Sequence, residues 1–429
     1  MAERRPRVST EPPRGMRDIL PDEAELRDET ARTILGVYRR YGFRRVETPA
    51  LENIQLLTRG EGGENEKLVF KVLKRGEKLD LGRAVSEADL VDLGLRFDLT
   101  VPLARYYAHH HARLPKPLKA VQIGPVWRAE RPQKGRFRQF TQCDIDILGV
   151  KSEVAEIELI LATTEALTAL GLEDLTVRIN DRRVLTAMAL WCGFAPDRHD
   201  SVFITLDKWD KLEPAAIAEE LGQAGHPPAA ITRMIERFTE LKTEDDLEPL
   251  MAYVSDAETR TAVHGLRRII QAARPETSIR FDATLVRGMS YYTGPIFEIQ
   301  SARFSSSIAG GGRYDQMIGK ILGQDVPATG FSIGFERAIS ILQDRPKEPG
   351  GSDRPVALLF DEKADDLATV LRAARALRSE GRRVSLEFRG KKKGVQLGAL
   401  AEQGYGGYAD FDGTERPEIK PLAGRSDEK

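Results

Sequence analysis

The residues Gln139-Phe-Thr-Gln-Cys-Asp-Ile-Asp-Ile-Leu alternate in character, and that alternation restricts what the chain can build. In an extended strand Phe140, Gln142, Asp144, Asp146 and Leu148 share one face, and Thr141, Cys143, Ile145 and Ile147 share the other. One face is apolar; the other carries an amide and two carboxylates. Two roles are open for that polar face: a solvated sheet surface, or a floor that recognises an ammonium group and a polar side chain. Residues 119–127 also have β character, and the polar segment from Arg128 to Phe137 separates the two runs. The pattern predicts strand, loop, strand in an antiparallel sheet.

The surroundings of that loop are cationic. From Arg113 to Arg138 there are eight Lys and Arg residues against the single acid Glu130, whereas the whole chain of 429 residues has 65 Lys and Arg against 66 Asp and Glu. A uniformly basic grip on nucleic acid is excluded, because such affinity comes from neutralising many phosphates. An anionic partner has to be met by a local patch. A basic hairpin loop is usually solvated, but Arg128, Arg131, Lys134 and Arg136 beside an acid-lined floor suggest a polyphosphate held over an amine-binding or carboxylate-binding pocket.

At roughly 150 residues per domain, the length suggests about three domains. With 41% hydrophobic and 31% charged residues the composition is that of a soluble globular protein. No run approaches the roughly 18 apolar residues of a membrane span, and the N-terminus lacks the apolar stretch of a secretory signal, so a cytoplasmic protein is expected. Cys143 and Cys192 cannot build a disulfide framework, and none of the six histidines has a zinc-ligand spacing, so no metal-ligating residues are assigned.

Residues 1–18 read as an extended arm. Leu26, Ile34, Val37, Tyr38 and Tyr41 then mark one stripe of a helix that Gly42 stops, and residues 43–48 read as a strand ending at Pro49. Residues 59–94 read as a long charged loop with a β excursion near 67–74, structure resuming at Leu95. Residues 182–273 are richly helical without a chemical motif, which suggests an inserted module. The run from Asp344 to Pro355 is dense in Pro, Gly and charge, as a linker is. Strand and helix alternate beyond it. The expected layout is an arm at 1–18, a catalytic domain at 19–181 and 274–343, a helical insertion at 182–273, a linker at 344–354 and a small C-terminal α/β domain at 355–429.

Three further segments hold candidate chemistry. Leu285-Val-Arg-Gly-Met-Ser-Tyr-Tyr puts Arg287 just before Tyr291 and Tyr292, although such tyrosines are more often core or rim aromatics. Ala309-Gly-Gly-Gly-Arg-Tyr-Asp lacks the ending of a Walker loop and is not read as preceding a helix, so its glycines more plausibly permit close approach of backbone or ligand. Ala328-Thr-Gly-Phe-Ser-Ile-Gly-Phe-Glu-Arg sets Arg337 at the first turn of a helix that follows a strand.

Together these segments resemble the class II aminoacyl-tRNA synthetases, and among them the histidyl-tRNA synthetase family. Arg14-Gly-Met-Arg-Asp with the helix, strand and Pro49 unit resembles the first class motif, the stretch from Val126 to Phe140 the second, and Gly330-Phe-Ser-Ile-Gly-Phe-Glu-Arg the third. The segments around Arg287 and Gly311-Gly-Arg-Tyr-Asp resemble the two signatures that distinguish the histidine enzymes. The resemblance runs from about residue 14 to 342. It implies an α+β fold: a class II synthetase-type antiparallel sheet flanked by helices, with the helical insertion and a short anticodon-binding-like C-terminal domain.

The resemblance also implies ATP-dependent activation of L-histidine to histidyl-adenylate and transfer to the 3′-terminal ribose of tRNA(His), by a homodimer with Mg²⁺ on the ATP phosphates. By that match Arg287 and Arg128 are catalytic. Asp98, Thr100 and Gln142 hold the histidine ammonium, Asp146, Tyr292 and Tyr314 line the imidazole pocket with Tyr291 nearby, and Arg128, Glu130, Arg136 and Arg337 bind ATP. Ser290 stands where many members have an acid, and residues 354–429 carry 15 Lys and Arg against 13 Asp and Glu, with Lys391-Lys-Lys as the main cationic cluster. Two other functions share these features: a histidine-sensing regulatory paralogue without catalysis, and an adenylate-forming ligase with a non-tRNA acceptor.

Overall fold

The computed structural model describes residues 9–58, 67–82, 84–131, 137–241, 247–254, 256–286, 291–302, 307–345 and 354–422. The chain divides into two units, Met1–Gln343 and Asp344–Lys429.

Helix α1 (Pro21–Arg40) begins with a proline at its first position, carries Asp22 and Glu23 in its first turn and Arg39 and Arg40 in its last, charges that suit the helix dipole at each end. Gly42 follows with φ of +81°, a conformation that opposes continuation with an L side chain. Ile34, Val37 and Tyr38 of α1 are buried. The strand expected at 43–48 is shorter: β1 is Arg44–Arg45.

Strands β2 (Leu51–Asn53), β3 (Lys71–Leu73) and β4 (Val91–Leu95) form a three-stranded sheet in the order β2-β4-β3. The stretch 91–94, read from its charge and glycine as loop, is thus the middle strand of a sheet; pairing on both edges outweighs its weak local β signal.

The main sheet has eight strands. It is completed by β5 (Leu118–Trp127), β6 (Gln139–Leu148), β7 (Leu175–Asp181), β8 (Ile279–Phe281), β9 (Pro295–Ser301), β10 (Ala309–Arg313) and β11 (Ala328–Ile333), in the order β1-β5-β6-β11-β10-β9-β7-β8. The expected strand–loop–strand pair is β5 and β6, antiparallel from Leu118 opposite Leu148 to Trp127 opposite Gln139. The interior pairs are antiparallel and the two edge pairs, β1 with β5 and β7 with β8, are parallel, so the sheet is mixed. The strand expected to start at Tyr291 starts at Pro295, and the triple glycine lies inside β10 rather than in a turn. A helix does follow it, contrary to the expectation from sequence: one residue, Tyr314, separates β10 from the helix Asp315–Leu322.

Helices α2 (Thr100–His110) and α3 (Val154–Ala169) belong to the same unit, α3 packing on α1. Cys143, Ile145 and Ile147, the apolar face of β6, are fully buried in one cluster with Leu159 and Ile160 of α3. Apolar side chains of the helical stretch 182–273, such as Leu185, Phe238 and Leu266, join that same cluster. Buried arginines tie elements together. Arg313 of β10 forks onto Glu156 of α3 at 2.7 and 2.9 Å, and Arg178 of β7 donates to Asp282 at 2.7 Å and to Asp210.

The C-terminal unit has its own four-stranded sheet, order β13-β12-β14-β15, from β12 (Val356–Phe360), β13 (Val384–Phe388), β14 (Gly407–Asp410) and β15 (Ile419–Pro421). The last two strands, one parallel and one antiparallel to its neighbour, add to the alternation read from sequence. No helix among the described residues is long and apolar enough to cross a membrane.

Replacing Glu156 with Ala removes the two-point partner of the buried Arg313 guanidinium and leaves it Asp315 at 3.1 Å, so the large unit is expected to lose about 3 kcal/mol, the low end for a broken buried pair. All three tryptophans, Trp127, Trp191 and Trp209, are in that unit, so urea unfolding followed by their fluorescence reports the loss directly. An unchanged midpoint would contradict it.

Candidate active site

The polar face of β6 is the floor of a cavity of about 360 Å³, lined there by Gln142, Asp144 and Asp146. The register of the neighbouring strand sets Gly330 opposite Asp146 and Ser332 opposite Asp144, and β10 sets Gly312 opposite Gly330. Glycine is required at these crossings for space. A Cβ on Gly330 would lie 2.1 Å from Asp146 Oδ1, and one on Gly311 would lie 2.0 Å from the Gly330 carbonyl oxygen. The triple glycine is therefore a thinned strand beside a carboxylate, not a phosphate loop.

Tyr314 follows β10 and donates its hydroxyl to Asp146 Oδ1 at 2.5 Å. Ser332 donates to Asp144 Oδ1. Asp98 precedes α2 and accepts the Val101 N–H at 3.1 Å. All three carboxyl groups are buried, with 2% exposure at Asp98, 4% at Asp144 and 2% at Asp146. Burial pushes the Asp98 carboxyl up to about 6, the Val101 N–H and the charge of Arg128 only partly opposing it. Burial likewise pushes Asp146 up to about 7 against the Tyr314 hydrogen bond. Asp144 is raised as well, by burial and then by the charge of Asp146.

Asp98 Oδ2, Gln142 Oε1 and Asp146 Oδ2 are buried with no hydrogen-bond partner among the described residues. Each is an acceptor oxygen, and buried acceptors left open in this way suit a ligand that brings N–H groups. An aromatic wall stands beside them: the Tyr291 ring lies 4.8 Å from Tyr292 and 6.0 Å from Tyr314, centroid to centroid.

The same cavity is also lined by cations. Arg128, immediately after β5, donates Nε to the Phe97 carbonyl at 3.1 Å, and its guanidinium lies 5.1 Å from the Phe140 ring centroid. Arg337 lies in the first turn of α4 (Phe335–Gln343) and donates to the Ser307 carbonyl. Glu130 also lines it, its backbone carbonyl accepting from Arg138 Nε at 2.9 Å. Buried carboxyl groups, an amide and two arginines in one cleft suit a ligand that carries both a cation and a polyanion.

Of the residues singled out from sequence, Asp98, Thr100, Arg128, Glu130, Gln142, Asp146, Tyr291, Tyr292, Tyr314 and Arg337 line this one cavity. Arg136, Arg287 and Ser290 lie outside the described residues. Asp144, Ser332, Thr141 and Glu336 also line it and were not assigned as site residues. The strand alternation already set Asp144 beside Asp146; Thr141 was assigned to the opposite face, and Ser332 and Glu336 carried no local signal.

The mixed sheet thus carries a cleft lined by Arg128 after β5 and by Arg337 on α4. The family model described as Histidyl-tRNA synthetase matches residues 15–338. The chain belongs to the histidyl-tRNA synthetase family. It is 45% identical over 431 residues to the histidine–tRNA ligase of Leifsonia xyli subsp. xyli, covering 96% of this chain and 98% of that one. It is 39% identical over 439 residues to the probable histidine–tRNA ligase of Tropheryma whipplei, covering 96% and 99%. The crystal structure of histidyl-tRNA synthetase from Nostoc sp. PCC 7120 superimposes with a TM-score of 0.77 at 27% identity, covering 95% of this chain and 93% of that one.

Carboxyl groups raised on folding take up protons that the unfolded chain releases, so without ligand these groups lower stability as the pH rises from about 4 to about 7. Replacing Asp146 with Asn removes part of that penalty. The variant minus wild-type stability is expected to grow in the variant's favour across that window, measured by thermal unfolding at stepped pH; a flat difference would contradict the assignment.

Proposed function

We propose that this cleft binds histidine and ATP side by side, that the enzyme forms histidyl-adenylate there, and that it passes the histidyl group to the 3′-terminal ribose of tRNA(His). The observation that carries the reading is the set of open buried acceptors, Asp98 Oδ2, Gln142 Oε1 and Asp146 Oδ2, in one cavity with Arg128 and Arg337. Histidine supplies the matching donors. Its ammonium meets Asp98, Gln142 and Thr100, and an imidazole N–H meets Asp146, with Tyr314, Tyr291 and Tyr292 around the ring. An ammonium entering beside Asp98 restores the ionised carboxylate that burial disfavours.

The histidine carboxylate oxygen attacks the α-phosphorus of ATP; a new P–O bond forms, the bond to the β-phosphate bridge breaks and pyrophosphate leaves. Two anions are brought together in that step, so its barrier is set by charge, and cations aimed at the phosphate oxygens lower it without a side-chain nucleophile. Arg128 and Arg287 take this role, Arg337 and Arg136 hold the nucleotide, and fixed alignment of the two substrates supplies much of the rest. Glu130, a carboxylate of the cavity lining, would help hold Mg²⁺ brought in with the nucleotide, and that ion would supply further neutralisation of phosphate charge. In the second step the terminal ribose hydroxyl attacks the carbonyl carbon and AMP leaves.

Several finer points complete the reading. The unit of α1 and the sheet edge β1 joins two copies of the chain as a homodimer, and the protein works in the cytoplasm. The C-terminal unit contacts the tRNA through exposed Lys391 and Lys392 and through Phe388, an exposed aromatic on which a base can stack. Lys393 is already paired to Asp410 at 2.5 Å and contributes less.

Transfer of labelled histidine to total tRNA, together with histidine-dependent pyrophosphate exchange, tests the reading. Charging and exchange are both expected. Absence of exchange would favour a histidine sensor, and exchange without charging a different acceptor. Arg287→Ala is expected to abolish exchange while histidine binding partly persists. Tyr314→Phe, which strips the donor from Asp146, is expected to raise the histidine KM about tenfold with the ATP KM little changed, a loss of about 1.4 kcal/mol of binding.

A further inference from the structure

We propose that Arg27, at the end of α1 nearest the arm, is a positioning residue for the nucleotide end of the cleft, acting through the Glu336 carboxylate with Arg17 as a second support. The proposal rests on the reading of Arg337 as an ATP ligand.

Glu336 directly precedes Arg337 in the first turn of α4. Arg27 grips its carboxylate with a fork, Nη1 to Oε2 and Nη2 to Oε1, both at 2.7 Å. Arg17 reaches Oε2 at 3.3 Å, and the Thr141 N–H donates to Oε1 at 2.9 Å. Arg27 also donates to the Thr141 hydroxyl at 2.9 Å and lies 5.2 Å from the Phe335 ring centroid. One carboxylate therefore joins α1, the arm, β6 and the helix that carries Arg337. The pair is mostly enclosed, with 14% side-chain exposure at Arg27 and 16% at Glu336, so solvent screens it less than a surface pair.

The arm holds the opposite wall as well. The Gly15 carbonyl accepts the Arg138 N–H at 2.7 Å, and the Arg17 guanidinium lies 4.9 Å from the Phe137 ring centroid. Phe137, Thr141 and Arg337 all line the cavity. Arg27 itself does not. It belongs to α1, whose Ile34, Val37 and Tyr38 are buried in the core, so the fork ties the first turn of α4 to a helix anchored in that core. A planar guanidinium fixes a carboxylate in both distance and orientation, which a lysine ammonium does not. Among the described residues Asp98 and Asp146 are held by other contacts, the Val101 N–H and the Tyr314 hydroxyl, rather than by Arg27.

The test is pyrophosphate exchange by the full-length chain carrying Arg27→Met, Arg27→Lys, Glu336→Gln, Arg337→Ala, or Arg27→Met with Arg337→Ala. Arg27→Met is expected to raise the ATP KM about tenfold and to leave the histidine KM within about twofold, since small misplacements of a binding group are costly at that group. Arg27→Lys is expected to recover only part of the loss, and the double variant to be no worse for ATP than Arg337→Ala alone. Glu336→Gln, nearly isosteric, is expected to reproduce the ATP effect if Arg27→Met folds poorly. An unchanged ATP KM in folded Arg27→Met and Glu336→Gln, or ATP and histidine KM values rising together, would overturn the proposal. If Arg337→Ala itself leaves the ATP KM unchanged, the assignment of Arg337 fails, an outcome distinct from Arg337→Ala acting while Arg27→Met does not.

Discussion

Everything in the cleft depends on one constraint: β6 must be covered on one face and must hold two carboxyl groups, out of water, on the other. Covering the apolar face takes α3 and the helices that share its cluster. Holding Asp144 and Asp146 then requires donors, Ser332 from the adjoining strand β11 and Tyr314 from just after β10, and the absence of side chains at Gly330 and Gly311, where any Cβ would intrude. The remaining open acceptors are a cost to the empty protein, since a buried oxygen without a partner loses its water and gains nothing in return. A ligand rich in N–H groups removes that cost. On the proposed reading, recognition of an ammonium and an imidazole N–H has the same origin as the cost of these buried acceptors.

Arginine forks are the recurring means of holding this arrangement. Arg313 ties the glycine strand to α3 through Glu156, Arg178 ties β7 to Asp282 and Asp210, and Arg27 ties α1 to Glu336. Each joins elements distant in sequence, and each guanidinium supplies several donors in a plane, so one residue sets orientation as well as separation. The sheet provides the floor; these forks determine where its neighbours stand upon it.

The pattern of β5, loop and β6 was legible because alternation and charge are local properties, and the cleft residues on motif-like segments were legible by resemblance. Asp98 and Thr100 illustrate the limit of local reading. Nothing in Arg96-Phe-Asp-Leu-Thr alone points to an ammonium, and only the resemblance drew it to the site. The strand at Val91–Leu95 was missed because its hydrogen bonds come from partners at 51–53 and 71–73, and weak propensity is decided by pairing. The glycines of β10, read from sequence as permitting close approach, do so against the Gly330 backbone.

By itself the sequence determined the two-faced strand, the concentration of cationic side chains around the hairpin loop despite a net charge of -1, and the motif order that marks the family. Those are properties of composition and spacing, and no partner is needed to express them. Only the tertiary structure decided that Tyr314 meets Asp146, that Ser332 meets Asp144, and that Glu336 is held from α1. Each of these joins residues more than a hundred positions apart. Register across a sheet and the reach of a guanidinium from one helix to another exist only once the core has closed, and they determine which carboxyl groups are left open for a ligand.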